Sequence, residues 1–141
     1  MKLAVLEQEI QRDCEIDKAN LDRESLNIPM LHAKYYRYFM EEFKILKLLD
    51  REYKALKKTR TDYYMGRAPD EEYMREPLGI KILRTDVDLY LDADSALSEL
   101  KVKLDVQQAK VDMLEAFVRN LSFRNNTIKN AIDFIRFKNG A

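Results

Sequence analysis

Apolar residues recur along this chain at helical spacing, and the longest unbroken run lies in its second half. Tyr90, Ala93, Leu97, Leu100, Leu104, Gln107, Val111, Leu114, Val118 and Leu121 are separated strictly by three and four residues, and only Gln107 is polar. Ten consecutive seam positions predict a long helix of the coiled-coil type. Thr85 followed by Asp86 and Asp88 reads as its capped, acidic start. The alternation Val87, Leu89, Leu91 also suits a short strand, but the longer pattern extends back through it and favours helix. Asn125-Asn126 predict the end of this helix. Ile128, Ile132 and Ile135 mark a last amphipathic helix over residues 127–138, closed by Gly140.

The first half reads similarly. Residues 2–14 predict a short helix with Leu3, Leu6 and Ile10 on one side, and residues 15–20 hold capping types. Pro29 is tolerated in a first turn, so a long helix is expected from about residue 29 to Met65, stopped by Gly66. Its apolar side is Phe39, Leu46, Leu49, Tyr53, Leu56 and Tyr63; Arg60 interrupts that side and belongs at the edge of a packing surface. Residues 66–84, with Pro69, Pro77 and Gly79, predict a long loop tipped by Asp70-Glu71-Glu72-Tyr73, and loops of that length are usually functional or mobile. The expected architecture is an all-α antiparallel hairpin of two long helices, each about 54 Å, with short helices at either end of the chain. One domain spans 1–141: N-terminal helices over 1–68, the acidic loop over 69–84, and a C-terminal helical region over 85–141. So thin a unit buries little by itself, so self-association is expected.

Composition adds charge segregation. The 25 Lys and Arg balance 25 Asp and Glu, which argues against indiscriminate polyanion binding. Residues 44–68 nevertheless carry a net +5 and residues 119–141 a net +4, while residues 1–43 and 69–118 carry −3 and −6. Only three Gly and three Pro fit a mostly helical chain. The single cysteine, Cys14, excludes an intrachain disulfide and suits a reducing compartment. No apolar run approaches the 18 or so residues of a membrane span, and acids at Glu7 and Glu9 come too early for a secretory signal. A soluble, intracellular protein is expected.

Candidate chemistry is sparse for an enzyme. Neither a Gly-x-x-x-x-Gly-Lys phosphate loop nor a Gly-x-Gly-x-x-Gly turn is present, and His32 stands without a ligand-like neighbour at helical spacing. Asp86, Asp88, Asp92 and Asp94 invite a metal reading but lack the glycine and closing glutamate of a calcium loop. Acids are in any case expected at a helix start. No metal or other cofactor is expected.

The basic segment is more informative. Lys44, Lys47, Arg51, Lys54 and Lys58 fall within about 80° of one another on a helix, a stripe roughly 20 Å long. Over residues 44–60 seven cations face only Asp50 and Glu52, and neither acid falls in that arc. The stripe runs into Tyr63-Tyr64. Cations along a track followed by rings are what a single-stranded nucleic acid requires, although one tyrosine of the pair also suits a core.

The run Lys58-Thr-Arg60-Thr-Asp62-Tyr63-Tyr64-Met-Gly66-Arg67 resembles the Lys-x-Arg-x-Asp-Tyr-Tyr-x-Gly-Arg motif of the UvsY family, recombination mediators of tailed phages. Weaker likenesses are Ile16-Asp17, Asp94 at a helix start, and Ile128-Lys129, Asp133, Phe137 and Gly140; Pro29 and Asn125 depart from the pattern. The resemblance implies an all-helical, ring-like homo-oligomer of six or seven subunits in the host cytoplasm. It implies binding to single-stranded DNA, loosening of the phage single-strand DNA-binding protein, and help to a UvsX-type recombinase in nucleating its filament. Lys58 and Arg60 match the motif's DNA contacts, with Lys47, Arg51, Lys54, Lys57, Arg67, Tyr63 and Tyr64 around them. The C-terminal helical region matches the part associated with assembly; its apolar pattern offers Leu114, Val118, Leu121, Ile128, Ile132 and Ile135 as contacts, with the seam pairing either with the first long helix or with another chain. A structural coiled-coil assembly protein, and a metal-dependent nuclease using Asp86–Asp94, are the other classes these residues leave open.

Overall fold

The computed structural model describes residues 1–140, and among them every regular element is helical, with no strand. Six α-helices follow one another: α1 (Leu3–Cys14), α2 (Leu21–Leu26), α3 (Ile28–Tyr64), α4 (Asp70–Arg75), α5 (Val87–Asp92) and α6 (Ser95–Lys138). The expected all-α class and both long helices are present. They group into two compact units: Met1–Phe43 with the residues from Ala109 on, and Lys44–Gln108.

The first unit is built on Leu6 of α1, Tyr35 of α3 and Leu114, Phe117 and Leu121 of α6. Leu6, Tyr35 and Leu114 are completely buried, and the Tyr35 and Phe117 rings meet edge to face at 4.5 Å. Glu42 pairs with Lys110 at 3.2 Å, so α3 and α6 run antiparallel here. Two acids one helical turn apart tie α1 down. Lys34 Nζ lies 2.7 Å from both Glu9 and Asp13, while the Tyr35 hydroxyl donates to Asp13 at 2.7 Å and the Tyr38 hydroxyl to Glu9 at 3.0 Å.

The helix break expected at Asn125-Asn126 is absent: α6 runs unbroken to Lys138. Helix propensity costs an asparagine well under about 1 kcal/mol. Packing on both sides of the pair outweighs that cost, because Leu121, Arg124 and Ile128 share one buried face. Arg124 donates to the carbonyls of Asp13 and Glu15, at 2.9 and 3.1 Å, and to Glu24 at 3.0 Å, which fastens the turn before α2. Residues 15–20 lead into α2, a helix too short to show periodicity.

In the second unit Val87, Leu91 and Leu97 pack with Tyr53, Leu56, Tyr64, Met65 and Ile82. Helix α3 ends as expected at Gly66, whose φ of 78° only glycine adopts without strain. Gly66 N–H donates to Tyr63 O at 3.2 Å and Arg67 N–H to Asp62 O at 2.8 Å, the paired bonds of a Schellman motif. Two expectations need correction. The acidic tip of the 66–84 segment is itself helical (α4). Thr85 does not cap the second long helix but sits inside a 3₁₀ turn, Arg84–Asp86. The cap is Asp94, whose Oδ1 accepts the Leu97 N–H at 3.0 Å after the chain turns at Ala93. That turn shifts the seam, so Leu91 and Asp94 are buried where Tyr90 and Ala93 were expected; later, Phe117 is buried and Val118 only half so.

Stability should fall in acid. The hydrogen bond from Lys34 leads in holding Glu9 below the usual carboxylate range. For Asp13 burial opposes, but Lys34 and Tyr35 outweigh it. A depressed carboxylate stabilises the fold above its unfolded pKa, about 3.9 to 4.3, and loses that contribution as pH falls through the lower folded value. Thermal melts should therefore show no contribution of these groups to a change between pH 7 and 5, then a drop below about pH 4. In Lys34→Ala that acid limb should be shallower.

Candidate nucleic-acid interface

The last five turns of α3 sort their side chains by period. Leu46, Leu49, Tyr53, Leu56, Arg60 and Tyr63 face inward, while Lys44, Lys47, Arg51, Lys54, Lys57 and Lys58 are exposed. The cationic stripe therefore stands on the solvent side of this unit. Lys54 pairs with Asp50 at 2.9 Å and Lys58 with Asp62 at 2.8 Å, each one turn away. The lysines of these pairs are about three-quarters exposed, 74% and 77%, so the pairs are weak and open to exchange. Arg67, just beyond the Schellman turn, is exposed too. It lines a cleft of about 300 Å³ together with Thr59, Arg60, Asp62, Tyr63, Ala68, Pro69 and Glu72.

Arg60 is placed differently from its neighbours. Its side chain is only 13% exposed, and Nε donates to Asp94 at 2.7 Å. Nη1 and Nη2 reach the two carboxylate oxygens of Glu76 at 3.2 and 3.4 Å, and Nη2 also donates to the Tyr64 hydroxyl at 3.3 Å. The guanidinium lies 4.4 Å from the Tyr63 ring centre and 5.1 Å from that of Tyr64. Burial works against its charge, but the bonds from Tyr64, Asp94 and Glu76 hold its pKa above the ordinary value. Asp94 is the converse: burial opposes ionisation, yet the Leu97 N–H, Tyr64 and Arg60 keep it below the usual range. Arg60 sits, as its place in the apolar period predicts, at the edge of a packing surface, and it is held there by four groups of its own chain.

The tyrosine pair is structural in the same sense. Tyr63 is 3% exposed; its hydroxyl donates to Glu76 O at 2.7 Å, and its ring stacks on Tyr73 at 5.2 Å. The Tyr73 hydroxyl returns a bond to Tyr63 O at 2.7 Å and accepts the Ala68 N–H at 3.2 Å. Tyr64 is half-buried and donates to Asp94 at 2.7 Å. Both tyrosines buttress the interface from behind. Glu76, Tyr73 and Asp94 were missed as parts of it, since each lies at least ten residues from the α3 group it bonds. The Tyr-Tyr-x-Gly run followed by an acidic loop was the available signal. Asp94, one of four acids open to a metal reading, is fully used as cap and counter-ion.

The assembly residues divide likewise. Leu114 and Leu121 lie in the first unit's own core, packed with residues of α1 and α3, and Ile128 is buried as well. Val118 and Ile132 are half-buried and Ile135 is exposed. Phe123, Phe134 and Phe137, at 60%, 64% and 80%, extend the exposed apolar surface of the helix end.

The fold and the site define the class: an all-helical protein whose long helix turns a cationic face to solvent, buttressed by tyrosines and bordered by a cleft. The chain belongs to the UvsY family, described as recombination, repair and ssDNA binding protein UvsY, which matches residues 9–141. It is 24% identical over 140 residues to the recombination protein uvsY of Enterobacteria phage T4, covering 99% of each sequence. Crystal structures of the bacteriophage T4 recombination mediator protein UvsY share its fold. One, of lattice type II, gives a TM-score of 0.86 at 24% identity over 98% of both chains; another, of lattice type IV, gives 0.83 at 23% over 98% and 99%. Among the described residues no helix is long and apolar enough to cross a membrane.

Breaking the Arg60–Asp94 pair should be costly. Asp94→Ala removes both the cap and the counter-ion of a buried guanidinium, and should lower unfolding free energy by roughly 3 kcal/mol, read from urea titration. Lys58→Ala, on the exposed side of the same turn, should change it by less than about 0.5 kcal/mol.

Proposed function

We propose that this protein is a recombination mediator that binds single-stranded DNA along the cationic face of α3. Lys58 lies at the centre of the face, with Lys47, Arg51, Lys54, Lys57 and Arg67 along it and Arg60 behind. Family membership supports the ligand. The observation that carries the site is the set of exposed cations on one helix face, of which Lys54 and Lys58 pair with a surface acid one turn away. Phosphates exchange readily with such acids, and releasing the counterions of the DNA drives the exchange.

Bound in this way, the DNA is held without being cut, and neither a cofactor nor a bond-breaking group takes part. Loosening the phage single-strand DNA-binding protein and seeding a UvsX-type recombinase are tasks of competition and presentation. Several weak sites acting together suit them better than one tight site. A ring-like homo-oligomer of six or seven subunits supplies that multiplicity, joined through the exposed apolar end of α6 around Ile132 and Ile135. Acting on phage DNA, the proposed mediator works in the host cytoplasm.

Two experiments test the reading. A Lys57→Ala, Lys58→Ala, Arg67→Ala variant should bind a labelled oligo-dT more weakly at moderate salt. Its log–log salt slope should be shallower by about 0.7 for each phosphate that the variant no longer neutralises. A folded, oligomeric variant with the parent slope would remove the site. Ile132→Asp with Ile135→Asp should reduce the solution mass by light scattering while leaving helix content intact. The dissociated chain should then bind DNA at least tenfold more weakly. A monomer that binds as tightly as the parent would refute the part given to avidity.

A further inference from the structure

Arg60 presents its guanidinium to two acids of opposite character. Asp94 is buried, its side chain 3% exposed, and it takes Nε at 2.7 Å; Glu76 is 55% exposed and takes both terminal nitrogens at 3.2 and 3.4 Å. The first pair is part of the fold. The second is half-exposed: the Glu76 carboxylate meets water when it leaves, while Asp94 and Tyr64 still hold the guanidinium. Glu76 engages the two nitrogens with two oxygens, the fork that a phosphodiester would also present to an arginine. Arg60 also lines the cleft it shares with Thr59 and Arg67, at the end of the cationic stripe.

We propose that Glu76 is a built-in competitor for DNA: its carboxylate occupies the phosphate-binding edge of Arg60, and a backbone phosphate displaces it when single-stranded DNA binds. The proposal rests on the DNA-binding reading and adds a regulatory contact to it. Asp94 holds Arg60 in place through the exchange, so the guanidinium is already oriented for the incoming phosphate. The segment carrying Glu76 need not unfold, because the Tyr63 hydroxyl holds the Glu76 carbonyl rather than its carboxylate, at 2.7 Å. Without DNA, Glu76 keeps the buried cation paired. With DNA, freed Glu76 repels the backbone, so affinity per subunit stays moderate and the strand can be passed on.

The test compares Glu76→Gln with Glu71→Gln, an exposed acid on the same segment outside the Arg60 pair, by oligo-dT titration at fixed salt. Removing the competitor should tighten binding about five- to tenfold, whereas removing a charge that only repels at a distance should change it less than about twofold. In an Arg60→Lys background, where one ammonium replaces the fork, the two glutamine variants should bind alike. Glu76→Gln binding no tighter than Glu71→Gln, or more weakly than the parent, overturns the proposal whatever the Arg60→Lys protein does. A parent that binds no oligo-dT at all is a different result, since it removes the DNA-binding reading itself.

Discussion

Asp94 uses two oxygens for three tasks, and the second unit depends on them. One oxygen accepts the Leu97 N–H and starts α6; the other accepts both Arg60 Nε and the Tyr64 hydroxyl. A carboxylate with 3% of its side chain exposed is tolerable only because every bond it makes is to a donor, one of them cationic. This single contact sets where the second long helix begins and how the end of α3 meets it. Arg60 in turn carries Glu76, and through Tyr63 and Tyr73 the acidic α4 segment is held against the helix end.

The cationic face inherits its geometry from that arrangement. A stripe of lysines on an isolated helix would be a diffuse charge with no edge. Here the stripe ends at a Schellman turn, with Arg67 projecting beyond it and a cleft beneath bordered by loop residues. The acids around it differ in burial. Asp94 is 3% exposed and committed to the fold, Asp62 and Asp50 are one-turn surface partners, and Glu76, at 55%, is the most exposed of the four although the arginine it pairs with is 13% exposed. The three outer acids exchange more readily than Asp94, because the cost of separating a pair rises with its burial. In the role proposed above, a face built from exchangeable pairs lets a strand be held and then released.

The first unit shows the same economy with a different sign pattern. Glu9 and Asp13 of α1 are bridged by Lys34 and by the hydroxyls of Tyr35 and Tyr38, so the short helix is fastened by polar bonds around one apolar anchor, Leu6. Arg124 does likewise for the turn before α2. The far end of α6 is left uncovered, with Phe134, Ile135 and Phe137 in solvent. Apolar burial at roughly 25 cal/mol per Å² gives that surface reason to find a partner.

Periodicity alone determined the helical class, the extent of α1 and α3, the stop at Gly66 and the exposed cations of α3, because those features depend on which residues recur every 3.6 positions and on glycine's access to positive φ. The family motif, too, was legible as local spacing. Tertiary structure decided the rest. Arg60 belongs to the inward period of α3, which the sequence showed, but its acid partner is 34 residues away and no local pattern names it. The same distance hid the cap: Thr85 and Asp94 are both good capping types, and the contact with Arg60 and Tyr64 selects the second. Asn125-Asn126 looked like a break because propensity is local, and proved continuous because Leu121, Arg124 and Ile128 are packed on either side. Residue spacing specifies a face; only the folded chain specifies what meets it, since burial and pairing are properties of two surfaces at once.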